Sequence, residues 1–105
     1  MTNIFATVSL PQVIASFRDR ETEKLWNGDY SRKLPTNIQE AALTKLRLLN
    51  AAVRLENLLV PPGNRLEALK GDRKGQHSIR INRQWRICFL WSGGNAHNVE
   101  IVDYH

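Results

Sequence analysis

The sequence holds a single cysteine, Cys88, so no disulfide can form within the chain. That suits a reducing compartment, and a cytoplasmic location is expected. No run of eighteen apolar residues occurs, so neither a transmembrane helix nor a membrane partner is expected. The opening residues lack the basic-then-apolar order of a signal peptide. Histidine is scarce. His77, His97 and His105 are scattered, and with one cysteine they make no metal-ligand spacing, so no metal or other cofactor is expected. A phosphate-binding glycine loop is also missing, because Gly93-Gly94 has the look of a hairpin turn and no helix follows it.

Acidic residues are scarce in one stretch in particular. Residues 65 to 90 carry Arg65, Lys70, Arg73, Lys74, Arg80, Arg83 and Arg86 against only Glu67 and Asp72. The rest of the chain has eight basic and eight acidic residues, so the whole net charge of +5 sits in that stretch. Clustered positive charge fits a polyanionic partner, and RNA, DNA or an acidic protein would all serve. The alternative is a solvated face that keeps a small protein soluble.

With 105 residues, of which 42% are hydrophobic, the chain can build one domain and one core. Residues 1–12 carry no charge and are interrupted by Pro11. They are set apart as an N-terminal extension, expected to be poorly ordered or loosely attached, before a single domain over 13–105. Val13 to Phe17 reads as a first strand. Arg20 to Trp26 reads as a short helix, with Asp19 able to cap it and Gly28 near its end. Thr36-Asn37-Ile38-Gln39 has the pattern of a capping box. Beyond it, Ile38, Ala42, Leu46, Leu49 and Val53 recur at helical spacing on one face.

Pro61-Pro62-Gly63-Asn64 marks a loop, and Leu66 and Leu69 are expected to return the chain to the core. Period two then takes over. It predicts strands at Ser78–Ile81, Trp85–Trp91 and Asn98–Asp103, joined by turns at Asn82-Arg83 and Ser92-Gly93-Gly94-Asn95. Trp85, Ile87, Phe89 and Trp91 share the core face. Arg80 and Arg86 should line the other face, left open, because a charged side chain is costly to bury unpaired. The fold class expected is α+β, with N-terminal helices packed on a small antiparallel sheet.

Several segments together carry a resemblance. They are Ser16-Phe17-Arg18-Asp19-Arg20-Glu21-Thr22-Glu23-Lys24-Leu25, Arg32-Lys33-Leu34-Pro35, Leu69-Lys70-Gly71-Asp72-Arg73, Asn82-Arg83-Gln84-Trp85-Arg86-Ile87 and the closing Asp103-Tyr104-His105. In order, over roughly residues 14 to 105, the chain resembles the HigB-type toxins of the RelE/ParE superfamily. The resemblance implies a RelE-like fold and metal-independent cleavage of mRNA in the ribosomal A site. It also implies a HigA-type helix-turn-helix antitoxin, commonly assembled with the toxin as a heterotetramer. Where some relatives have a catalytic histidine before the Leu-Lys-Gly-Asp segment, this chain has Glu67.

Metal-free cleavage through the ribose 2′-OH sets three tasks: removing the 2′-OH proton, stabilising charge on the phosphorane, and protonating the leaving 5′-oxygen. On the implied activity, Asp103 and His105 are the candidates for proton transfer, placed on one side of a strand by their spacing. Arg86 and Lys70 are the candidates for phosphate charge, and Tyr104 for positioning. Arg73, Lys74, Arg80 and Arg83 are expected to bind the RNA backbone. Each has a plainer alternative. Arg86 could pair with Glu100 or Asp103 across the sheet, the C-terminal triplet could be a frayed tail, and His77 and His97 look like surface residues beside turns. On the same scaffold, a gyrase poison of ParE type or a module that blocks the ribosome without cutting are the rival functions.

Overall fold

The computed structural model describes residues 12–104. The expectation for the N-terminal extension therefore lies, apart from Gln12, outside the described residues, as does His105. Helix α1 (Arg20–Trp26) starts where the sequence indicates. The Asp19 carboxylate accepts from Thr22 N at 3.0 Å and from Thr22 Oγ1 at 2.6 Å. At its other end Gly28 takes φ +89°, which an L side chain rarely adopts. Gly28 N then donates to Leu25 O and Asp29 N to Lys24 O, a Schellman closure.

Helix α2 (Thr36–Ala51) departs from expectation at both ends. Its N-cap is Pro35, not Thr36, so no capping box forms. Thr36 shares its hydroxyl with Tyr30 instead, at 2.8 Å. Gln39 is spent on the connector: Nε2 donates to Ser31 O (2.7 Å) and Leu34 O (2.9 Å). Val53 lies past the helix end and is 78% exposed, so it is not part of the core face. The other four apolar positions are fully buried.

Strands β1 (Glu67–Ala68), β2 (Gln76–Arg80), β3 (Trp85–Ser92) and β4 (Asn95–Asp103) form one antiparallel sheet in the order β1-β2-β3-β4. β1 had no signal in the sequence, being only two residues long. The Val13–Phe17 segment is not a full strand. It meets β4 through two isolated parallel bridges, Ile14 to Ala96 and Phe17 to Val99. Between these bridge points Asn98 takes φ +52°, off the extended geometry a ladder needs. Asn50 of α2 holds the segment from the other side, accepting from Val13 N and Ile14 N at 3.0 Å each.

Gly93 and Gly94 both have positive φ, as a two-residue I′ turn requires, and Ser92 pairs with Asn95 across it. The β2–β3 connection is longer than the two residues expected. Asn82 Oδ1 accepts from both Gln84 N (2.9 Å) and Trp85 N (2.8 Å), which spreads the turn over residues 81 to 84.

Ile38, Ala42, Leu46 and Leu49 pack on Ile79, Ile87, Phe89, Val99 and Ile101, with Trp85 and Trp91 at the margin. Each fully buried aliphatic side chain contributes about 1.5–3 kcal/mol. His77 belongs to this side as well. Its ring stacks 6.4 Å from Phe89, and Nδ1 is buried with no hydrogen-bond partner among the described residues. It is therefore not the surface residue expected; it lies within β2, where alternation points it inward. By the same alternation Ser78, Arg80 and Arg86 face away from the helices.

Candidate nucleic-acid interface and active site

Arg80 and Arg86 are register partners on β2 and β3. Two like charges placed side by side on a sheet repel, so their heads must be held apart or neutralised. Each guanidinium has its own anchor. Arg80 Nε donates to Asn82 O at 3.0 Å. Arg86 Nε donates to the Ser78 hydroxyl at 2.7 Å, and its Nη2 donates to Arg65 O at 2.7 Å. Arg86 thus reaches over β2 toward β1. Of its five N–H groups two are engaged in this way, and three are left for a ligand.

Around these heads lies a cleft of about 430 Å³ bordered by Arg65, Arg80, Arg83 and Arg86, together with Glu67 and Tyr104. The Tyr104 ring sits under the Arg86 guanidinium, 5.8 Å from Cζ to the ring centroid. That is cation–π distance, and Tyr104 as a whole stays 38% exposed. Tyr104 and Glu67 also border an adjoining hollow that contains Lys70. Arg86 and Tyr104 thus border the cleft, and Lys70 borders the hollow that shares Glu67 and Tyr104 with it.

Asp103 is not among the residues bordering that cleft. It pairs in register with Trp85, which puts it on the other side of the sheet from Arg86. Its carboxylate accepts from Gln84 Nε2, at 3.1 Å to each oxygen. Alternation does separate Asp103 from Tyr104, as the spacing predicts, but Arg86 is on the side of Tyr104.

The basic residues after Lys70 also divide. Arg83 borders the cleft, whereas Lys74 is exposed at the neighbouring turn. Arg73 is tied up: its Nη1 lies 3.2 Å from Glu100 Oε2 and 3.0 Å from Gln76 Oε1. Burial works against its charge, yet the bond to Glu100 and nearby negative groups outweigh this and raise its pKa. Arg18 shares the same Glu100 oxygen at 3.4 Å. The pairing of Arg86 with Glu100, weighed as a structural alternative, is replaced by these two. Cys88 is buried on the same row, and burial pushes its thiol pKa up.

No role for Ser78, Arg65 or Gln84 is legible in the sequence. Arg65 could be counted only as one charge in the basic stretch, because its left-handed backbone (φ +45°), which presents its carbonyl to Arg86, has no glycine or asparagine to signal it. Among the described residues, no helix is long and apolar enough to cross a membrane, and no group of three or more His, Cys, Asp or Glu could hold a metal ion.

Residues 15–105 match the family described as RelE-like toxin of type II toxin-antitoxin system HigB. The chain is 42% identical over 83 residues to Toxin HigB-1 of Vibrio cholerae serotype O1, covering 78% of this chain and 87% of that one. It is 29% identical over 97 residues to Endoribonuclease HigB of Proteus vulgaris, covering 89% of this chain and all of that protein. An uncharacterized protein of Haemophilus influenzae is 30% identical over 84 residues, with 79% and 83% covered. The two-helix, four-stranded antiparallel architecture is that of a RelE-like toxin. The chain belongs to the HigB-like toxins, the toxin half of a type II toxin–antitoxin system, and so has an antitoxin as its partner.

Proposed function

We propose that this toxin is an endoribonuclease that cuts mRNA in the ribosomal A site, without a metal, through attack of a ribose 2′-OH on the adjacent phosphorus. The observation that carries the reading is the fixed Arg86 guanidinium, doubly anchored over an open basic cleft with an aromatic ring beneath it. A planar fork held in place stabilises charge on a phosphorane without reorganising at the moment of reaction. Tyr104 offers a face on which a nucleobase can stack. Lys70 adds a point charge from the adjoining hollow.

Arg65, Arg80 and Arg83 take the flanking phosphates. Lys74 supplies longer-range attraction, and Arg73 holds the sheet edge through Glu100. His105 follows Tyr104 directly in the chain and is the proposed acid for the leaving 5′-oxygen; an imidazole near pH ~6.5 suits that task. Asp103 steadies the chain end by its bonds to Gln84. The proposed antitoxin is a HigA-type helix-turn-helix protein, forming a heterotetramer with the toxin in the cytoplasm. The relative from Proteus vulgaris, named an endoribonuclease, supports the same activity here.

The test is 5′-end mapping of a defined mRNA incubated with the purified toxin, with and without programmed ribosomes. Cuts that appear only with ribosomes are expected. Intact mRNA with arrested translation would favour a passive ribosome block, and intact mRNA with damaged DNA in expressing cells would favour a gyrase poison. Cuts in naked RNA would remove the ribosome from the mechanism.

A further inference from the structure

Lys45 stands on α2 between Ala42 and Leu49, at helical spacing from both, so it flanks the buried face of the helix. It is half-buried, and its ammonium forms no ion pair among the described residues. Instead Nζ donates to Oδ1 of Asn64, a fully buried amide. A lysine at a helix margin ordinarily lets its head reach water. Here one N–H is committed to a single neutral oxygen. That oxygen has no other donor among the described residues, since Asn64 Nδ2 donates to Leu58 O and Val60 O and so fixes which end of the amide is which. Asn64 N donates to Pro61 O at 2.9 Å. Those three bonds tie the loop to itself, whereas Lys45 alone among the partners of Asn64 comes from another element. Leu58 and Leu66 pack at the core on either side, but apolar contact is non-directional. The bond from Lys45 supplies direction.

The next residue along is Arg65, at φ +45°. An arginine in the left-handed region persists only where its surroundings hold it there. Its carbonyl accepts from Arg86 Nη2 at 2.7 Å, while Ser78 holds Arg86 Nε. One hydrogen bond leaves a planar group free to turn about that bond; a second, at Nη2, sets the plane. The Arg65 carbonyl therefore decides how the remaining N–H groups of Arg86 face the cleft. We infer that Lys45 is a positioning residue for cleavage, acting from α2 through Asn64 and the Arg65 carbonyl on the plane of the Arg86 guanidinium. This rests on the nuclease reading. Lys45 does not itself border the cleft; it opens on a separate hollow beside Asn37, Glu40 and Thr44.

The experiment is single-turnover cleavage of a defined mRNA on saturating programmed ribosomes by wild type, Lys45→Met, Arg86→Ala and the double variant. Urea denaturation and ribosome co-sedimentation of the same preparations run alongside, and rates are taken per folded molecule. Methionine keeps the unbranched stem and a similar helix propensity, and removes the ammonium. Lys45→Met should slow cleavage about tenfold, since a small misplacement of a catalytic group by a distant change is enough for that. Co-sedimentation should be unchanged. In the Arg86→Ala background the same substitution should alter the rate by less than about twofold, because the group it positions is gone. Should Lys45→Met not fold, Lys45→Gln, shorter but still polar, takes its place in the same cycle.

A folded Lys45→Met toxin that cuts within about twofold of wild type overturns the inference. So does an equal loss with and without Arg86, which would make Lys45 a support of the fold in general. Weakened co-sedimentation that accounts for the slower cutting overturns it as well, and would place Lys45 in ribosome binding. If wild type itself leaves mRNA intact, the nuclease reading falls and Lys45 with it; wild-type cutting with any of these three results sinks Lys45 alone.

Discussion

The Arg86 guanidinium is tied to the buried hydroxyl of Ser78, with Nε 2.7 Å from Oγ. A hydrogen bond to a charged group is worth about 1.5–3 kcal/mol, and here it fixes the direction of the fork as well as its energy. Ser78→Ala should therefore slow cleavage about tenfold or more, the equivalent of one such bond lost from the transition state. Thermal melting and single-turnover cleavage of the same preparation check this. A variant with wild-type rate would mean that the Arg65 carbonyl alone orients Arg86.

The second anchor depends on a residue further away. Asn64 is fully buried, and its Nδ2 donates to Leu58 O (3.1 Å) and Val60 O (3.3 Å). Its Oδ1 accepts from Lys45 Nζ of α2. These bonds fix the loop just before Arg65. Asn64→Ala takes this donor from the buried Leu58 carbonyl and the part-buried Val60 carbonyl, and should destabilise the fold by about 1–3 kcal/mol. Urea denaturation measures it. Cleavage should fall by more than the loss of folded protein explains, because the Arg65 carbonyl loses its fixed place.

Much of this arrangement is legible in the chain. The alternation from Trp85 to Trp91 places Arg86 opposite Ile87 and Phe89, and Gly93-Gly94 marks its hairpin because both positions need positive φ. Asp19 and Gly28 announce the ends of α1 for equally local reasons. What could not be read depends on partners distant in sequence. Gln39 fits a capping box by spacing, but the Ser31 and Leu34 carbonyls compete for it and win. Arg73 looks like any other charge in the basic stretch until β4 brings Glu100 beside it. Spacing also shows that Asp103 and Tyr104 point to opposite sides. Which of them meets Arg86 depends on the β3–β4 register, where Arg86 pairs with Val102.

The division of the basic stretch has a measurable consequence in salt. Each phosphate contact on a single strand contributes about 0.7 to the slope of log affinity against log salt. Arg83→Ala removes a cation bordering the cleft and should reduce that slope by about that amount. Lys74→Ala removes an exposed charge that does not border the cleft and should change the slope by clearly less. Titrating a short single-stranded RNA at several salt concentrations decides it. Equal slopes lost in both variants would mean that RNA runs across the Gly71–Arg73 turn as well.

Stability in acid should depend on Glu21. The Ser31 hydroxyl donates to its carboxylate at 2.7 Å, and with Lys24 and Lys33 nearby this outweighs burial and lowers the Glu21 pKa. A group whose folded pKa is depressed contributes stability above its unfolded pKa, near ~4.3 for glutamate, and loses it as pH falls through the folded value. Glu21→Gln should therefore be less stable than wild type at neutral pH, and the gap should close as the pH drops below about 4. Chemical denaturation at a series of pH values follows it. A gap that stays constant with pH would show that the bond to Ser31 does not favour the carboxylate.

The most direct measurement is cleavage of a defined mRNA on programmed ribosomes by wild type and Arg86→Ala, with toxin–ribosome co-sedimentation measured in parallel. Arg86→Ala should still reach the ribosome, since Arg65, Arg80 and Arg83 still border the cleft. Cutting should fall by on the order of 100-fold or more, as for loss of one preorganised donor at a developing charge. An Arg86→Ala toxin that binds and cuts like wild type would contradict it, and the chemistry would have to lie outside this cleft.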